Sequence, residues 1–175
     1  GAQQIANREL LFTSLSAVLA FGCVASANYL LNDLFDIGHD RYLPTKRRRA
    51  LAAGLIGVPS AVGVMLSLFL AGSLIASRLP VPFMWTLALY ALGALSYSVY
   101  FKRKAPMDTL VLAALYTLRV LAGNAATDIP PSFWLLAFSL FLFLSLAMSK
   151  RNAELMPLRE AAQESVQGRG YWVAV

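Results

Sequence analysis

Long uncharged stretches alternate with short charged clusters along this chain. Leu11 to Leu31 runs 21 residues without Asp, Glu, Lys, Arg or His; Ala50 to Ser77 runs 28, Leu79 to Phe101 23, and Ile129 to Ser149 21. A helix of about 20 apolar residues crosses roughly 30 Å of hydrocarbon, so each run suffices for one span. A fifth stretch, Thr109 to Thr127, is rich in Leu, Val and Ala and carries one charge, Arg119. A mid-span arginine costs about 3 kcal/mol on insertion scales and must face a partner or a wet cavity. The pattern therefore predicts an all-α fold, a multi-span transmembrane helical bundle forming one integral membrane domain over 1–175. Its spans are expected near 11–33, 54–77, 79–101, 107–127 and 130–149.

Charge placement adds an orientation. Only 14% of residues are charged, whereas soluble domains carry about a quarter. The basic residues in successive connections are Arg41 and Lys46 to Arg49, then Arg78, then Lys102 to Lys104, then none, then Lys150, Arg151, Arg159 and Arg169. That alternation of 5, 1, 3, 0 and 4 follows the positive-inside rule and puts the first and third connections and the tail in the cytoplasm. The net charge of +6 then reads as topology and attraction to anionic lipid, with no nucleic-acid partner expected. The single cysteine, Cys23, lies in an apolar span and reads as packing. Trp85, Tyr90, Phe133 and Trp134 read as interface anchors and lipid-facing packing. The chain starts on Gly1 and turns apolar again at Tyr171 to Val173, which is expected of a piece of a longer protein. The tail from Lys150 to Arg169 reads as a helical loop containing Pro157.

The chemistry concentrates where the first span meets the cytoplasm. Asp33, Asp36 and Asp40 fall at i, i+3 and i+7, and Asn32 and Asp36 at i, i+4, spacings that share one helix face. Stacked carboxylates repel one another, and the helix C-terminal dipole disfavours anions, so a positive partner is required. Pairing with Arg41, Lys46 and the following arginines is one solution. The other is Mg²⁺, a hard cation usually shared between carboxylates and substrate phosphates. Asn28 and Asn32 carry the polar face back toward the membrane, a depth at which polar groups mark a site. His39, the only histidine, sits among the acids as a possible ligand or base, or as an incidental interfacial residue.

At these residues the sequence resembles the UbiA-type polyprenyltransferase superfamily. Asn32, Asp36 and Asp40 match its N-x-x-x-D-x-x-x-D motif, with Asp33 added. The stretch from Asp40 to Gly54 is similar to the D-R-x-H-P-x-K-x-x-R-P-x-A-x-G segment of the decaprenyl-phosphate phosphoribosyltransferase branch. Leu43 stands at the histidine and Ala50 at the later proline. The resemblance continues through Lys102 to Lys104, Asp108, Leu118 to Gly123, and Lys150 to Leu155. It implies an all-helical fold of about nine spans around a central cavity, in an integral membrane protein of a bacterial inner membrane with its active face cytoplasmic. A second aspartate-rich motif, present in the aromatic prenyltransferases, is replaced after the fifth span by Lys150, Arg151 and Glu154. One acidic and one basic wall suit two phosphorylated substrates.

The expected activity is therefore Mg²⁺-dependent transfer of phosphoribose from phosphoribosyl diphosphate to a polyprenyl phosphate. Asp33, Asp36 and Asp40, with Asn32, would hold Mg²⁺ and the diphosphate. Arg41, Lys46, Arg49, Arg119, Lys150 and Arg151 would contact phosphate. Lys150 and Glu154 also have the i, i+4 spacing of a simple ion pair. Lys102 to Lys104, Arg47 and Arg48 read mainly as topology or lipid contacts, and Asp108 as a helix cap or a site residue. Two rivals stand beside this reading. One is prenyl transfer from a polyprenyl diphosphate to an aromatic acceptor; the other is a cation-coupled transporter, which would place paired polar residues near the midplane.

Overall fold

The computed structural model describes residues 8–43, 46–104 and 106–160, with side chains through Ala153. Five long helices follow one another: α1 (Arg8–Tyr42), α2 (Val58–Ala76), α3 (Val81–Val99), α4 (Met107–Thr127) and α5 (Phe133–Glu160). A short 3-10 turn, Phe101–Arg103, links α3 to α4. Each of the five is long and apolar enough to cross a membrane, including the helix that carries Arg119. Each predicted stretch falls on one of these helices, whose ends local chemistry sets. Prolines in the first turns of α2 and α3 set their starts, since a missing N–H costs nothing there. Gly54, at φ 74°, turns the chain before α2. Asp128, at φ 53°, ends α4 in the left-handed conformation that a short polar side chain tolerates. Pro130 and Pro131 follow, and α5 begins only at Phe133. The part of the tail through Glu160 continues α5 as helix.

The largest difference concerns α1, which runs 35 residues without a break. At about 1.5 Å per residue it is roughly 50 Å long, well beyond the hydrocarbon thickness. The acidic motif therefore rides on the protruding end of a rigid helix.

Packing places α1 against α2, α3 and α4, while α4 also meets α3 and α5. The α1–α2 seam is built from small residues. Ala20 and Val24 lie on α1, opposite Gly72 and Ala76 on α2, all buried. A Cβ on Gly72 would come within 2.7 Å of Val24 Cγ2 and 3.0 Å of the Ala20 carbonyl oxygen. Lipid supplies no hydrophobic drive between helices, so such close approach is how the seam gains its dispersion energy. The α3 contribution is the stripe Phe83, Leu87, Tyr90, Ala94 and Ser98, all buried.

Tyr90 corrects the expectation that it anchors the interface. It is 4% exposed and its ring lies 4.4 Å from that of Phe21. Its position on the inward stripe decides this. Trp85, Phe133 and Trp134 are exposed, as a lipid-facing role requires.

Because successive helices alternate in direction, the end of α1, the end of α3, the start of α4 and the end of α5 gather at one end of the bundle. Arg78 and Asp128 lie at the other.

Candidate functional site

The three motif carboxylates are divided between two cations. Arg49 Nη1 donates to Asp33 Oδ1 at 2.9 Å and to Asp40 Oδ2 at 2.8 Å. Asp36 pairs with Lys102 Nζ, arriving from the 3-10 turn, and accepts a 3.2 Å hydrogen bond from Asn32 Nδ2. Lys102 also reaches Asn32 Oδ1 at 3.4 Å. Helical spacing explains the division. Asp33 and Asp40 stand two turns apart on one line, and Asp36 is offset toward α3.

Arg49 is carried by the connection after α1, which folds as successive turns: Lys46 N–H donates to the Leu43 carbonyl and Arg49 N–H to that of Lys46. Arg41 braces the same connection, its Nε donating to the Ala52 carbonyl at 3.3 Å. Lys46 is half-buried, whereas His39, Arg47 and Arg48 are exposed.

Lys102 was read mainly as a topology or lipid contact. The fold instead buries it against Asp36, with 12% of its side chain exposed. Its partner lies 66 residues away, so no local pattern could reveal the contact.

The donor set suits a hard cation. A single guanidinium nitrogen sits between oxygens of Asp33 and Asp40, where positive charge is demanded. Asp40, 2% exposed, keeps a buried Oδ1 with no hydrogen-bond partner among the described residues. Among those residues no three acidic, cysteine or histidine side chains converge on one point. Mg²⁺ is usually held by one or two carboxylates plus waters and substrate phosphates, so two carboxylates meet its demand.

A second ion pair ties α4 to α5. Asp108, fully buried, takes Arg151 Nη2 at 2.6 Å through Oδ2, and its Oδ1 accepts the Thr109 N–H at 2.7 Å. Asp108 thus joins a helix-start role to a buried pair. Arg151 is 6% exposed, and a phosphate could reach it only by displacing this carboxylate. In this structure Arg151 joins α4 to α5 through that buried ion pair. Lys150 beside it is exposed, and the expected pairing with Glu154 lies outside the described side chains.

Deeper in the bundle, Arg119 is half-buried among aromatic rings. Its guanidinium carbon lies 4.9 Å from the ring centre of Tyr116, 5.6 Å from Tyr90 and 5.8 Å from Phe21. Nη2 donates to Tyr90 Oη at 3.2 Å and reaches Tyr29 Oη at 3.5 Å. A cavity of about 90 Å³ lies beside it, lined in part by Asn28, Asn32, Tyr29 and Tyr116. Asn32 lines this cavity and also binds Asp36, so the cavity adjoins the acidic face. The aromatic surround of Arg119 was not expected. Tyr29, at i+1 from Asn28, was the available signal.

Fold and site together define a polytopic membrane bundle with opposed acidic and basic groups at one end and a charged cavity beneath them. The chain matches the UbiA prenyltransferase family over residues 3–160. It belongs to that family. An uncharacterized protein, y4nM, of Sinorhizobium fredii is 39% identical, covering 87% of this chain and 30% of that protein. Nodulation protein NoeC of Azorhizobium caulinodans is 38% identical, over 89% of this chain and 50% of its own. Decaprenyl-phosphate phosphoribosyltransferase of Mycobacterium tuberculosis is 35% identical, over 84% and 49% respectively. The chain thus spans 30% to 50% of the length of these curated relatives.

Proposed function

We propose that the protein carrying this chain transfers phosphoribose from phosphoribosyl diphosphate to a polyprenyl phosphate, at the cytoplasmic face of a bacterial inner membrane. The observation that carries this reading is the pairing of each motif carboxylate with a basic side chain, Arg49 for Asp33 and Asp40, and Lys102 for Asp36. Such a site offers carboxylates to a cation and, once they are so engaged, releases two basic groups toward phosphate oxygens. The similarity to decaprenyl-phosphate phosphoribosyltransferases supports the choice of substrates.

In this scheme Asp33 and Asp40 would hold Mg²⁺, with Asp36 and Asn32 paired beside them. The bound metal supplies charge neutralisation for the departing pyrophosphate. Arg49 and Lys102 bind diphosphate oxygens, joined by Arg41 and Lys46 from the same connection and by exposed Lys150 at the same end. Once released, these groups would stabilise the negative charge that develops on the leaving group. The bond from the anomeric carbon to the pyrophosphate oxygen breaks, with its electron pair leaving on pyrophosphate. A lipid phosphate oxygen forms the new bond to that carbon, and no proton need be removed from an ionised phosphate.

The test is lipid-product mass spectrometry on membranes containing the full-length protein, supplied with Mg²⁺, phosphoribosyl diphosphate and polyprenyl phosphate. A phosphoribosylated lipid is expected that vanishes with Asp36→Ala and with chelation by EDTA, and returns with added Mg²⁺. Prenylated aromatic acid from a parallel mixture containing prenyl diphosphate, with no phosphoribosylated lipid, would assign the protein to aromatic prenyl transfer. Activity in neither, from folded protein, would leave cation transport to be tested.

A further inference from the structure

Arg49 holds two carboxylates through one atom. Its Nη1 donates to Asp33 Oδ1 at 2.9 Å and to Asp40 Oδ2 at 2.8 Å, so both oxygens face the same small volume. The acids are firmly set. Both stand on the continuous helix α1, and Asp40 is 2% exposed. Its second oxygen, Oδ1, is buried and has no hydrogen-bond partner among the described residues. The charge at this point is unbalanced, since one guanidinium answers two carboxylates while Lys102 is taken up by Asp36. A divalent cation on the same two oxygens would balance both.

The arginine is attached differently from the acids. Its backbone is fixed from both sides, the N–H donating to the Lys46 carbonyl and the carbonyl accepting from the Ala53 N–H. Its side chain is 41% exposed and, among the described residues, makes only the two hydrogen bonds to Asp33 and Asp40. Rotation about the side-chain bonds is therefore enough to carry the guanidinium off the carboxylates while the connection keeps its fold. The released charge stays tethered beside the acids it has left.

We infer that the Arg49 guanidinium is a built-in competitor of the divalent cation. Each excludes the other from Asp33 Oδ1 and Asp40 Oδ2, and the arriving cation turns Arg49 out to the phosphates that accompany it. This deepens the reading of the motif as a seat for a cation and a diphosphate, on which it rests, and it holds equally for a phosphoribosyl and a prenyl donor. A cation alone must displace the guanidinium and so binds weakly. A diphosphate alone finds Arg49 engaged with the acids. Together each removes the obstacle to the other, because the expelled guanidinium gains a charge-assisted partner in the diphosphate. One side chain thereby couples the two ligands, and by linkage the coupling is reciprocal.

The experiment uses the full-length protein in detergent, with Mn²⁺ alone as a paramagnetic substitute for Mg²⁺. Free Mn²⁺ is followed by electron paramagnetic resonance during titration. Arg49→Gln is expected to bind Mn²⁺ about tenfold more tightly than wild type, the worth of a charge-assisted hydrogen bond no longer broken. Arg48→Gln removes the same charge from an exposed position on the same connection, and should leave the affinity within about twofold. Unchanged or weaker Mn²⁺ binding in Arg49→Gln overturns the proposal. So does equal tightening in both variants, which makes the effect one of net charge. Where Arg49→Gln fails to fold, the wild type decides through phenylglyoxal modification of Arg49, mapped by peptide mass spectrometry. The modification should speed up with Mg²⁺ and slow again when inorganic pyrophosphate is added with Mg²⁺ in excess. A rate indifferent to Mg²⁺ overturns the proposal. Tighter Mn²⁺ binding in Arg49→Gln, from a protein that makes no phosphoribosylated lipid, refutes the proposed reaction and leaves the competition standing. Phosphoribosylated lipid with Mn²⁺ binding unaltered in Arg49→Gln does the reverse.

Discussion

Individual side chains here do work that their sequence neighbours do not announce. The acidic motif was legible because helical spacing alone stacks Asp33, Asp36 and Asp40, and stacked carboxylates demand a cation. Which cation answers which acid was not legible. Lys102 meets Asp36 across 66 residues, and Arg151 meets Asp108 from the far end of α5. The latter pair yields a prediction at this scale. Removing one partner strands a buried charge, so Asp108→Asn or Arg151→Gln should lower stability by about 3 kcal/mol or more. Thermal melting of the full-length protein in detergent reads this. The double variant should lose less than the sum of the singles, because it leaves no stranded charge. Additive losses would mean that the pair contributes no mutual interaction.

At the scale of elements, four uncharged runs and a fifth apolar stretch interrupted only by Arg119 located the five helices, since length and apolar composition are sufficient physical conditions for a span. Their inward faces were harder to read. A membrane helix is apolar all round, so no amphipathic contrast marks the buried side. Tyr90 shows the consequence, lying on the core stripe of α3 beside the exposed Trp85 and Leu89. Small residues were the better indicator, as at Gly72. Gly72→Ala is expected to push α2 from the Ala20 carbonyl of α1 and cost about 1–3 kcal/mol by overpacking. Gly63→Ala on the same helix meets nothing within 4 Å and should leave melting unchanged. Equal melting temperatures for the two variants would show that the seam yields without cost.

For the whole molecule, the alternating basic residues and the gathering of helix ends make one statement about sidedness. In a Cys23→Ser background, Lys104→Cys should react with an impermeant thiol reagent only from the cytoplasmic side, and Arg78→Cys only from the opposite side. Labelling of both from one side would refute the topology and the cytoplasmic assignment of the site. The same arrangement separates a charged end from two spaces lined successively by residues further back along α1.

Five span-long helices followed from the sequence by itself, because a span depends on composition over a window, and the charge between windows gives the expected orientation. So did the need for basic partners at the end of α1, because three carboxylates on one helix face need a counter-charge wherever the helix is placed. Tertiary structure alone decided that Lys102 pairs with Asp36, that Arg151 pairs with Asp108, and that Arg119 stands among Tyr29, Tyr90 and Tyr116. Each of those facts depends on which helices adjoin and at what depth. Packing sets both, and no window of sequence contains them.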